Sequence, residues 1–458
     1  MDRALSFIEE HHQRHIGELE DFLRIPSVST DPEFATDVNR GADWLAERLR
    51  TAGIDKAEVI KTDIHPIILA EHVTDPKKPT VVAYGHYDVQ PPDPLDLWTS
   101  DPFEPTVRDG QIFARGAVDD KGQLMMIVNA TEAYLKSSKE LPVNLKMVFE
   151  GEEECASESM GPFLEKYKDR LTGDVALICD TSMAEPGIPA ITASLRGIVY
   201  MEFFLKSSNR DLHSGLYGGA IHNPLNVLGR VIASLHDDDG RIAVAGMYDD
   251  VRDLSAAERE EMKRIPFDEA AWLETVGVRG TWTEPGYTTL EAATIRPTVD
   301  MNGVWGGYAG EGSKTIIAAE AGAKISARLV PDQTPDDIMK KLQRHIREHT
   351  PESIEVTFNP LGVGSAINVD PNHPGLKSAA RALEEVFKVP PVMLRGGGSI
   401  PAAAMMRDVL GLEPLLVGFG LDTDRVHAPD EHFGLDRFRM GIESIARFFS
   451  YYGENGGA

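Results

Sequence analysis

The sequence predicts an α/β fold in which a second domain interrupts the first. Short apolar strands such as PTVVAYGH and DVALICD alternate with helical segments such as KGQLMMIVNATEAYLKSS, a pattern typical of α/β proteins. At 458 residues the chain is too long for one ordinary core, so we expect two domains. A segment with its own strands and helices begins after SLRGIVYMEFFLKSS, and we interpret this segment as an insertion.

The predicted elements support this division of the chain. The stretch MDRALSFIEEHHQRHIGELEDFL predicts one acidic amphipathic helix at the start. The helix TPDDIMKKLQRHIREH and the strand SIEVTFNP belong to the insertion, which we place at residues 195–365. The helix NHPGLKSAARALEEVF and the strand PLLVGFG return to the first domain, which therefore comprises residues 1–194 and 366–458.

Composition excludes several classes of protein. A net charge of −27 argues against binding to nucleic acid or to an anionic membrane. The first residues lack the basic and apolar blocks of a signal peptide, and no apolar run is long enough to span a membrane. The two cysteines, Cys155 and Cys179, are too few for a disulfide framework, so we expect a cytoplasmic location.

Three predicted strands are followed by side chains of the types that commonly bind metal ions. In open α/β sheets, ligands bind beyond the carboxyl ends of the strands, so residues far apart in the sequence meet there. The strand ends carry His86 and Asp88 in VVAYGHYD, the acidic triplet Glu152, Glu153 and Glu154 in VFEGEEE, and Asp180 in ALICD.

Two further motifs extend this set. Asp119 and Asp120 precede a helix in ARGAVDDKGQ, and His427 follows the late strand in LDTDRVHAPDEHF. Two imidazoles and several carboxylates at one sheet edge would be unstable unless cations neutralised the acidic groups. Mixed nitrogen and oxygen ligation suits zinc, and manganese or cobalt would also fit. The size of the set predicts two divalent metal ions.

Each motif alone also has a structural explanation. The aspartates of DDKG are typical of a helix N-cap, EGEEE is typical of a solvated acidic loop, and a lone histidine is usually a surface or core residue. The combination in this order, after these strands, favours the metal site. A plain calcium-binding protein would instead cluster its oxygen ligands in one loop and have no use for the two histidines.

The motif series resembles a known family. YGHYDVQP, ARGAVDDKGQ, FEGEEE, ICD and VHAPDE are similar to the motifs of the co-catalytic di-zinc metallopeptidases, which include aminoacylases, carboxypeptidase G, succinyl-diaminopimelate desuccinylases and carnosinases. NRDLHSGLYGGAIHNP, GSKTII, SARLVPDQTP and GGGSIP are most similar to the carnosinase-type dipeptidase branch. The resemblance implies a mixed-sheet, zinc-aminopeptidase-like catalytic domain with helices on both faces, interrupted by a smaller α+β lid and dimerisation domain.

The resemblance also implies roles for individual residues. Asp88 would orient a ligating histidine, Glu153 would be the general base, and the peptide bond between Asp119 and Asp120 would be cis. Asp119 would bridge the two ions. The implied metal ligands are His86, Asp119, Glu154, Asp180 and His427.

Four residues are implied contacts of the substrate. His213 would reach across a homodimer interface formed by the inserted domain and stabilise the oxyanion in the partner's site. Arg328 would clamp a substrate carboxylate, because a guanidinium binds carboxylates bidentately, and a surface ion pair is the alternative role for this residue. Ser399, beside consecutive glycines, would meet an anionic end of the substrate, and Thr315 would make a further contact.

We therefore predict metal-dependent hydrolysis of the amide bond of dipeptides or short peptides. A hydroxide between two ions about 3.5–4 Å apart would attack, and Glu153 would transfer its proton to the leaving amine. One position departs from the carnosinase pattern, because Gly396 stands where a glutamate is common. A deacylase of N-acyl amino acids is therefore an alternative, and a catalytically silent ligand-binding relative is a weaker one.

Overall fold

The computed structural model of the chain describes residues 1–398 and 400–455. The first part contains strands β1–β8 at Lys56–Ile60, Ile67–His72, Thr80–His86, Thr106–Arg108, Gln111–Phe113, Asn144–Glu150, Val175–Ile178 and Ala190–Leu195. Its helices α1–α5 lie at Asp2–Glu10, His12–Leu23, Ala35–Ala52, Lys121–Ser137 and Met160–Tyr167. No helix among the described residues is both long enough and apolar enough to cross a membrane.

The remaining elements complete the fold. Strands β9–β14 lie at Gly197–Lys206, Leu212–His213, Thr298–Gly306, Ile316–Ile317, Glu320–Leu329 and Glu355–Gly364, and β15–β18 at Ile367–Asn368, Val392–Gly396, Glu413–Gly418 and His432–Gly434. Helices α6–α11 lie at Ser214–Tyr217, Pro224–Ala233, Ala256–Met262, Glu269–Val276, Thr289–Ile295 and Pro335–Glu348, and α12–α14 at Pro374–Phe387, Pro401–Leu410 and Leu435–Asn455.

The larger sheet is mixed and has a parallel centre. Its strand order is β1-β2-β6-β3-β7-β17-β8-β15, with β16 paired to β8. Strand β3 runs parallel to β6 on one side and to β7 on the other, and β17 runs parallel to β7. Strands β6 and β7 are buried along their whole length, and the sequence of β7, VALI, is accordingly apolar throughout. The carboxyl ends of four neighbouring strands therefore meet at one edge.

Helices cover this sheet and complete the main core. Helices α1, α2, α3, α12 and α14 form one connected group around α4, and α5 packs with α13. Helix α4 is buried along most of its length, and its central run LMMIV is apolar at consecutive positions, so that more than one face packs in the core. The predicted α/β fold with a mixed sheet is confirmed.

A second sheet lies between β8 and β15 in the sequence. It is antiparallel, has the order β11-β13-β9-β14, and packs with α7 and α11 around a hydrophobic core of its own. The chain changes sheets between Leu195 and Gly197, and it returns between Gly364 and Ile367. That the segment 195–365 is a separate domain stays a prediction.

The predicted N-terminal helix is in fact two helices. Helix α1 ends at Glu10 and α2 begins at His12. At His11 the backbone turns to φ −107° and ψ 8°, and the His11 ring stacks on Phe7, with Nδ1 lying 2.9 Å from the Phe7 carbonyl oxygen. Both helices bury apolar residues in the same core, so the hydrophobic periodicity continues across the break and does not reveal it.

Candidate metal centre

The predicted ligands come together at the carboxyl edge of the parallel strands. His86 is the last residue of β3. Glu154 lies in a short 3-10 turn after β6, Asp180 follows β7, and His427 lies in the loop after β17. Because β6, β3, β7 and β17 are neighbours and parallel, these positions converge although they are distant in the sequence.

Asp119 lies between the two histidines. Its Oδ1 is 3.0 Å from Nε2 of His86, and its Oδ2 is 2.9 Å from Nε2 of His427. Asp180 Oδ2 lies 3.9 Å from His86 Nε2, and Glu154 Oε2 lies 3.3 Å from His427 Nε2. Two groups of potential ligands result, and they share Asp119, with the donor atoms of each group all within 4.8 Å of one another.

Asp88 lies behind this cluster and is fully buried. Its Oδ1 is 3.4 Å from Nδ1 of His86, and its backbone oxygen is closer to the same nitrogen, at 3.1 Å. The Asp88 carboxylate also accepts hydrogen bonds from the backbone N–H groups of Glu153 and Glu154, at 3.3 and 3.1 Å. Asp88 therefore contacts the segments on both sides of the cluster.

The carboxylates of the cluster carry more negative charge than its two histidines can neutralise. Burial of Asp180 and repulsion from Asp120 raise the pKa of Asp180 well above its ordinary value. Burial opposes ionisation of Asp119, but hydrogen bonds from His427 and His86 lower its pKa below the usual range. Hydrogen bonds to Asp119 and Glu154 raise the pKa of His427 to about 10. Bound divalent cations would supply the missing positive charge, so this oxygen and nitrogen donor set fits metal ions.

Glu153 has the environment expected of a proton carrier. Burial, with repulsion from Glu154 and Asp119, raises the pKa of Glu153 to about 7. A carboxyl group with a pKa near neutrality can both accept and return a proton at physiological pH. The pKa of the Glu153 carboxyl, next in the sequence to Glu154, is therefore in the range that such a role requires.

Comparison with known proteins identifies the family. The profile of Peptidase family M20/M25/M40 matches residues 82–451. The chain belongs to this family. The matched range contains all the ligand candidates. The family predicted from the motifs is confirmed.

Two curated M20 relatives align over almost the whole chain. The Cys-Gly metallodipeptidase dug1 of Schizosaccharomyces pombe is 31% identical over 468 residues, which cover 98% of this chain and 97% of the relative. The Beta-Ala-His dipeptidase of Homo sapiens is 32% identical over 469 residues, which cover 98% and 92%. The predicted similarity to the carnosinase-type branch of the M20 family is thereby confirmed.

A solved M20-type structure shares the fold. The structure of the dipeptidase Dug1p from Saccharomyces cerevisiae superposes with a TM-score of 0.82 at 28% identity, covering 99% of this chain and 98% of that one. The agreement over both lengths extends to the inserted segment as well as to the sheet that carries the M20 motifs.

The loop that carries Asp119 is anchored at the start of α4. The peptide bond between Asp119 and Asp120 is cis, as the resemblance implied, and Asp120 Oδ2 accepts the backbone N–H of His86 at 3.1 Å. Lys121 is fully buried, and its ammonium donates to the carbonyl oxygens of Phe22 and Ile25 at 3.2 and 2.6 Å. Burial lowers the pKa of Lys121 to about 7.

Three of the predicted substrate contacts, His213, Thr315 and Arg328, belong to neither ligand group of the described residues. His213 is exposed in the short ribbon of β10 and β12, where it pairs with Ile316, and the backbone oxygen of Thr315 accepts the N–H of Ser214 at 3.1 Å. Arg328 lies on β13 of the inserted sheet. Ser399 lies outside the described residues.

Two polar contacts of the site were not predicted from the sequence. Gln90, four residues after His86, donates to Glu154 Oε2 at 2.7 Å. Arg196, between β8 and β9, donates to the backbone oxygens of Gly397 and Arg296 at 2.9 and 3.3 Å. Gln90 belongs to the motif YGHYDVQP. The positions of Gln90 and Arg196 in the sequence do not indicate which groups they hydrogen-bond.

Proposed function

We propose that the protein is a dinuclear metal-dependent dipeptidase. The observation that carries this proposal is the position of Asp119, which lies about equally close to His86 and His427 and belongs to both ligand groups. The relatives named for hydrolysis of Cys-Gly and β-Ala-His support a dipeptide as the substrate. The proposed ligands are His86, Asp119 and Asp180 for one ion, and Asp119, Glu154 and His427 for the other.

We assign zinc as the preferred metal, with manganese or cobalt as substitutes. Imidazole and carboxylate ligands suit all three ions, and each half of the site would offer one histidine, one carboxylate and a share of Asp119. When bound, such ions supply Lewis acidity and positive charge at the reacting carbonyl and at the attacking water.

Glu153 takes the role of general base. It directly precedes the proposed ligand Glu154 in a 3-10 turn, which supports a position within reach of a water at the site. Its carboxylate accepts a proton from that water and returns it to the leaving amine. The backbone N–H of Glu153 donates to Asp88, which holds the turn that carries both glutamates.

The carboxylate end of the dipeptide is assigned to a basic region near the glycine loop 396–398. Burial, together with repulsion from Arg328, lowers the pKa of Arg196 to about 10, so the two guanidinium groups lie within electrostatic range of each other. Arg196 also donates to Gly397 in this loop. Two guanidinium groups within range of each other favour an anion, which supports Arg328 as a contact of the substrate carboxylate and Ser399, which follows this segment in the sequence, as a second contact.

We further propose a homodimer formed through the inserted segment. His213, on β10, and Thr315, directly before β12, are both exposed and belong to neither ligand group of the described residues. In a dimer they would complete the partner's site, where His213 would stabilise the oxyanion.

Exposed apolar side chains support this interface. Leu216 and Tyr217, three and four residues after His213, are 76% and 41% exposed, and Val363 on the edge strand β14 is 58% exposed. Trp305 on the opposite edge strand β11 is also exposed. Exposed apolar side chains are typical of protein interfaces, and these four all belong to the segment between β8 and β15. The two free thiols, Cys155 and Cys179, support the proposed cytoplasmic location.

Parallel assays on dipeptides and on N-acyl amino acids test the proposed function. We expect metal-dependent hydrolysis of the dipeptides, loss of activity with a chelator, and little activity in the Glu153→Gln variant. Preferential hydrolysis of N-acyl amino acids would instead establish the deacylase that Gly396 leaves open. No hydrolysis of either panel by the metal-loaded protein would contradict both enzymes and favour a silent relative.

A further inference from the structure

Glu431 is a buried carboxylate that the proposed mechanism does not use. Its side chain is fully buried. One oxygen, Oε1, accepts the backbone N–H groups of Val118 and Asp119 at 3.0 and 3.2 Å. The other, Oε2, accepts the N–H of Gly116 at 3.0 Å and the guanidinium of Arg115 at 2.7 Å. All four donors belong to the segment 115–119, which ends at the residue shared by the two ligand groups.

The pairing of two short strands places Glu431 beside this segment. Strand β18 pairs antiparallel with β5, with His432 opposite Phe113. The backbone oxygen of Glu431 accepts the N–H of Ala114 at 3.1 Å, one step beyond this pair. His427 precedes Glu431 by four residues, so one stretch of chain supplies a ligand and also contacts the backbone of Asp119.

Because Glu431 is buried, its carboxylate needs hydrogen-bond donors from the surrounding protein. An ionised carboxylate in a protein interior is unfavourable unless donors surround it. Here the four donors of the segment 115–119 meet the two oxygens, and three of them are backbone groups whose positions depend on the path of the chain. Keeping the carboxylate satisfied therefore keeps the segment in place.

We propose that Glu431 is the positioning residue for Asp119. Its carboxylate holds the backbone of Asp119 so that one carboxylate oxygen faces His86 and the other faces His427. Loss of this anchor would weaken both metal sites together, because Asp119 belongs to both. The inference rests on the proposed function, since it takes Asp119 to be the shared ligand.

The test is zinc binding to the metal-free chain, measured by competition with a chromophoric chelator. Glu431→Gln keeps the volume of the side chain, but an amide nitrogen cannot accept the N–H groups that Glu431 now accepts. We expect the affinity of both zinc ions to fall by about 10–100-fold, the usual effect of losing a partner that orients a metal ligand.

Glu132→Gln is the matched control. Glu132 is almost as deeply buried, and its carboxylate also binds arginine, with Arg48 at 2.7 Å and Arg14 at 2.9 Å. It lies on α4 and makes no hydrogen bond to the segment 115–119 among the contacts of the described residues. We expect this variant to lose stability but to bind zinc as the wild type does.

The outcomes separate the two proposals. Failure of the wild-type chain to bind two ions would overturn the proposed function and this inference with it. Tight binding by the wild type and equal affinity in folded Glu431→Gln would overturn only the role of Glu431. If that variant does not fold, Glu431→Asp, whose shorter side chain cannot reach all four donors, replaces it with the same expected loss.

Hydrogen exchange on the wild-type, metal-free chain provides a measurement that needs no variant. We expect the amides of Val118 and Asp119 to exchange slowly, because both donate to the buried Glu431 carboxylate. Exchange at the rate of an open loop would overturn the positioning role.

Discussion

The backbone N–H of Glu154 donates a hydrogen bond to the carboxylate of Asp88 at 3.1 Å. The same carboxylate faces Nδ1 of His86 at 3.4 Å and accepts the hydroxyl of Ser29 at 2.6 Å. His86 and Glu154 belong to different ligand groups around Asp119. Asp88 therefore contacts both halves of the proposed metal centre.

This link predicts that Asp88→Asn weakens binding of both metal ions. An asparagine places an N–H₂ group against donors that now meet an oxygen, so we expect affinity to fall by about 10–100-fold. Ser29→Ala is the control, since it removes only the hydroxyl donor. Zinc titration of both variants measures the effect, and equal affinities in Asp88→Asn and the wild type would contradict the link.

Glu153→Gln is expected to abolish most of the turnover. The amide cannot take a proton from water, and general-base catalysis contributes about 10²–10⁴-fold. Because Glu153 is not a proposed ligand, metal content and KM should stay close to the wild-type values. Steady-state kinetics with parallel metal analysis test this prediction. Retention of full activity would show that the base is another group.

Removal of the metals is expected to lower both activity and thermal stability. Without cations, Asp119, Asp180 and Glu154 would repel one another in a partly buried site. We expect a chelator to lower Tm and zinc to restore activity with a break at two equivalents per chain. Saturation at one equivalent with full activity would contradict the dinuclear site.

The proposed dimer predicts complementation between two inactive variants. His213→Ala would lack the oxyanion donor, and Glu153→Gln would lack the base. In a mixed dimer, one of the two sites combines an intact Glu153 with an intact His213 from the partner. Random mixing should restore about a quarter of wild-type activity, since half of the dimers are mixed. No recovery after demonstrated subunit exchange would place His213 outside the partner's site.

The ion-pair network of Glu132 predicts a pH dependence of stability. Burial would raise the pKa of Glu132, but hydrogen bonds with His15 and Arg14 and the charge of Arg48 hold it at about 2. A lowered pKa stabilises the folded state above the ordinary value near 4.5, and this contribution disappears as the pH falls towards 2. We expect Glu132→Gln to be less stable at pH 7 by on the order of 3 kcal/mol.

Denaturant unfolding of the wild type and Glu132→Gln at several pH values measures this contribution. The gap between their free energies of unfolding should narrow steadily below about pH 4.5. A gap that stays constant down to pH 2 would show that the Glu132 carboxylate is not specially stabilised in the folded chain.

Much of the site was predictable because strand geometry is local. An apolar run followed by His86 and Asp88, or by Asp180, indicates both a buried strand and the polar groups at its carboxyl end. Parallel neighbours then bring such ends together whatever the details of the loops. The fold class and the ligand candidates followed from this pattern and from the order of the motifs.

Local patterns do not identify the partners of buried polar groups. Glu431 was visible within VHAPDE, yet nothing in that motif indicates that it contacts the backbone of Asp119, more than 300 residues earlier. The hydrogen bonds of Asp88 with Glu154 and of Lys121 with Phe22 could not be predicted from the local sequence either.

The sequence by itself determined which side chains stand at the ends of the buried strands, and hence the chemistry gathered at one edge of the sheet. Only the tertiary structure decided how those side chains are held, because the donors around a buried carboxylate come from distant segments. Their meeting depends on strand register and loop path, as in the pairing of β18 with β5 that places Glu431. Hydrophobic periodicity predicts which residues are buried, but it does not predict their hydrogen-bond partners.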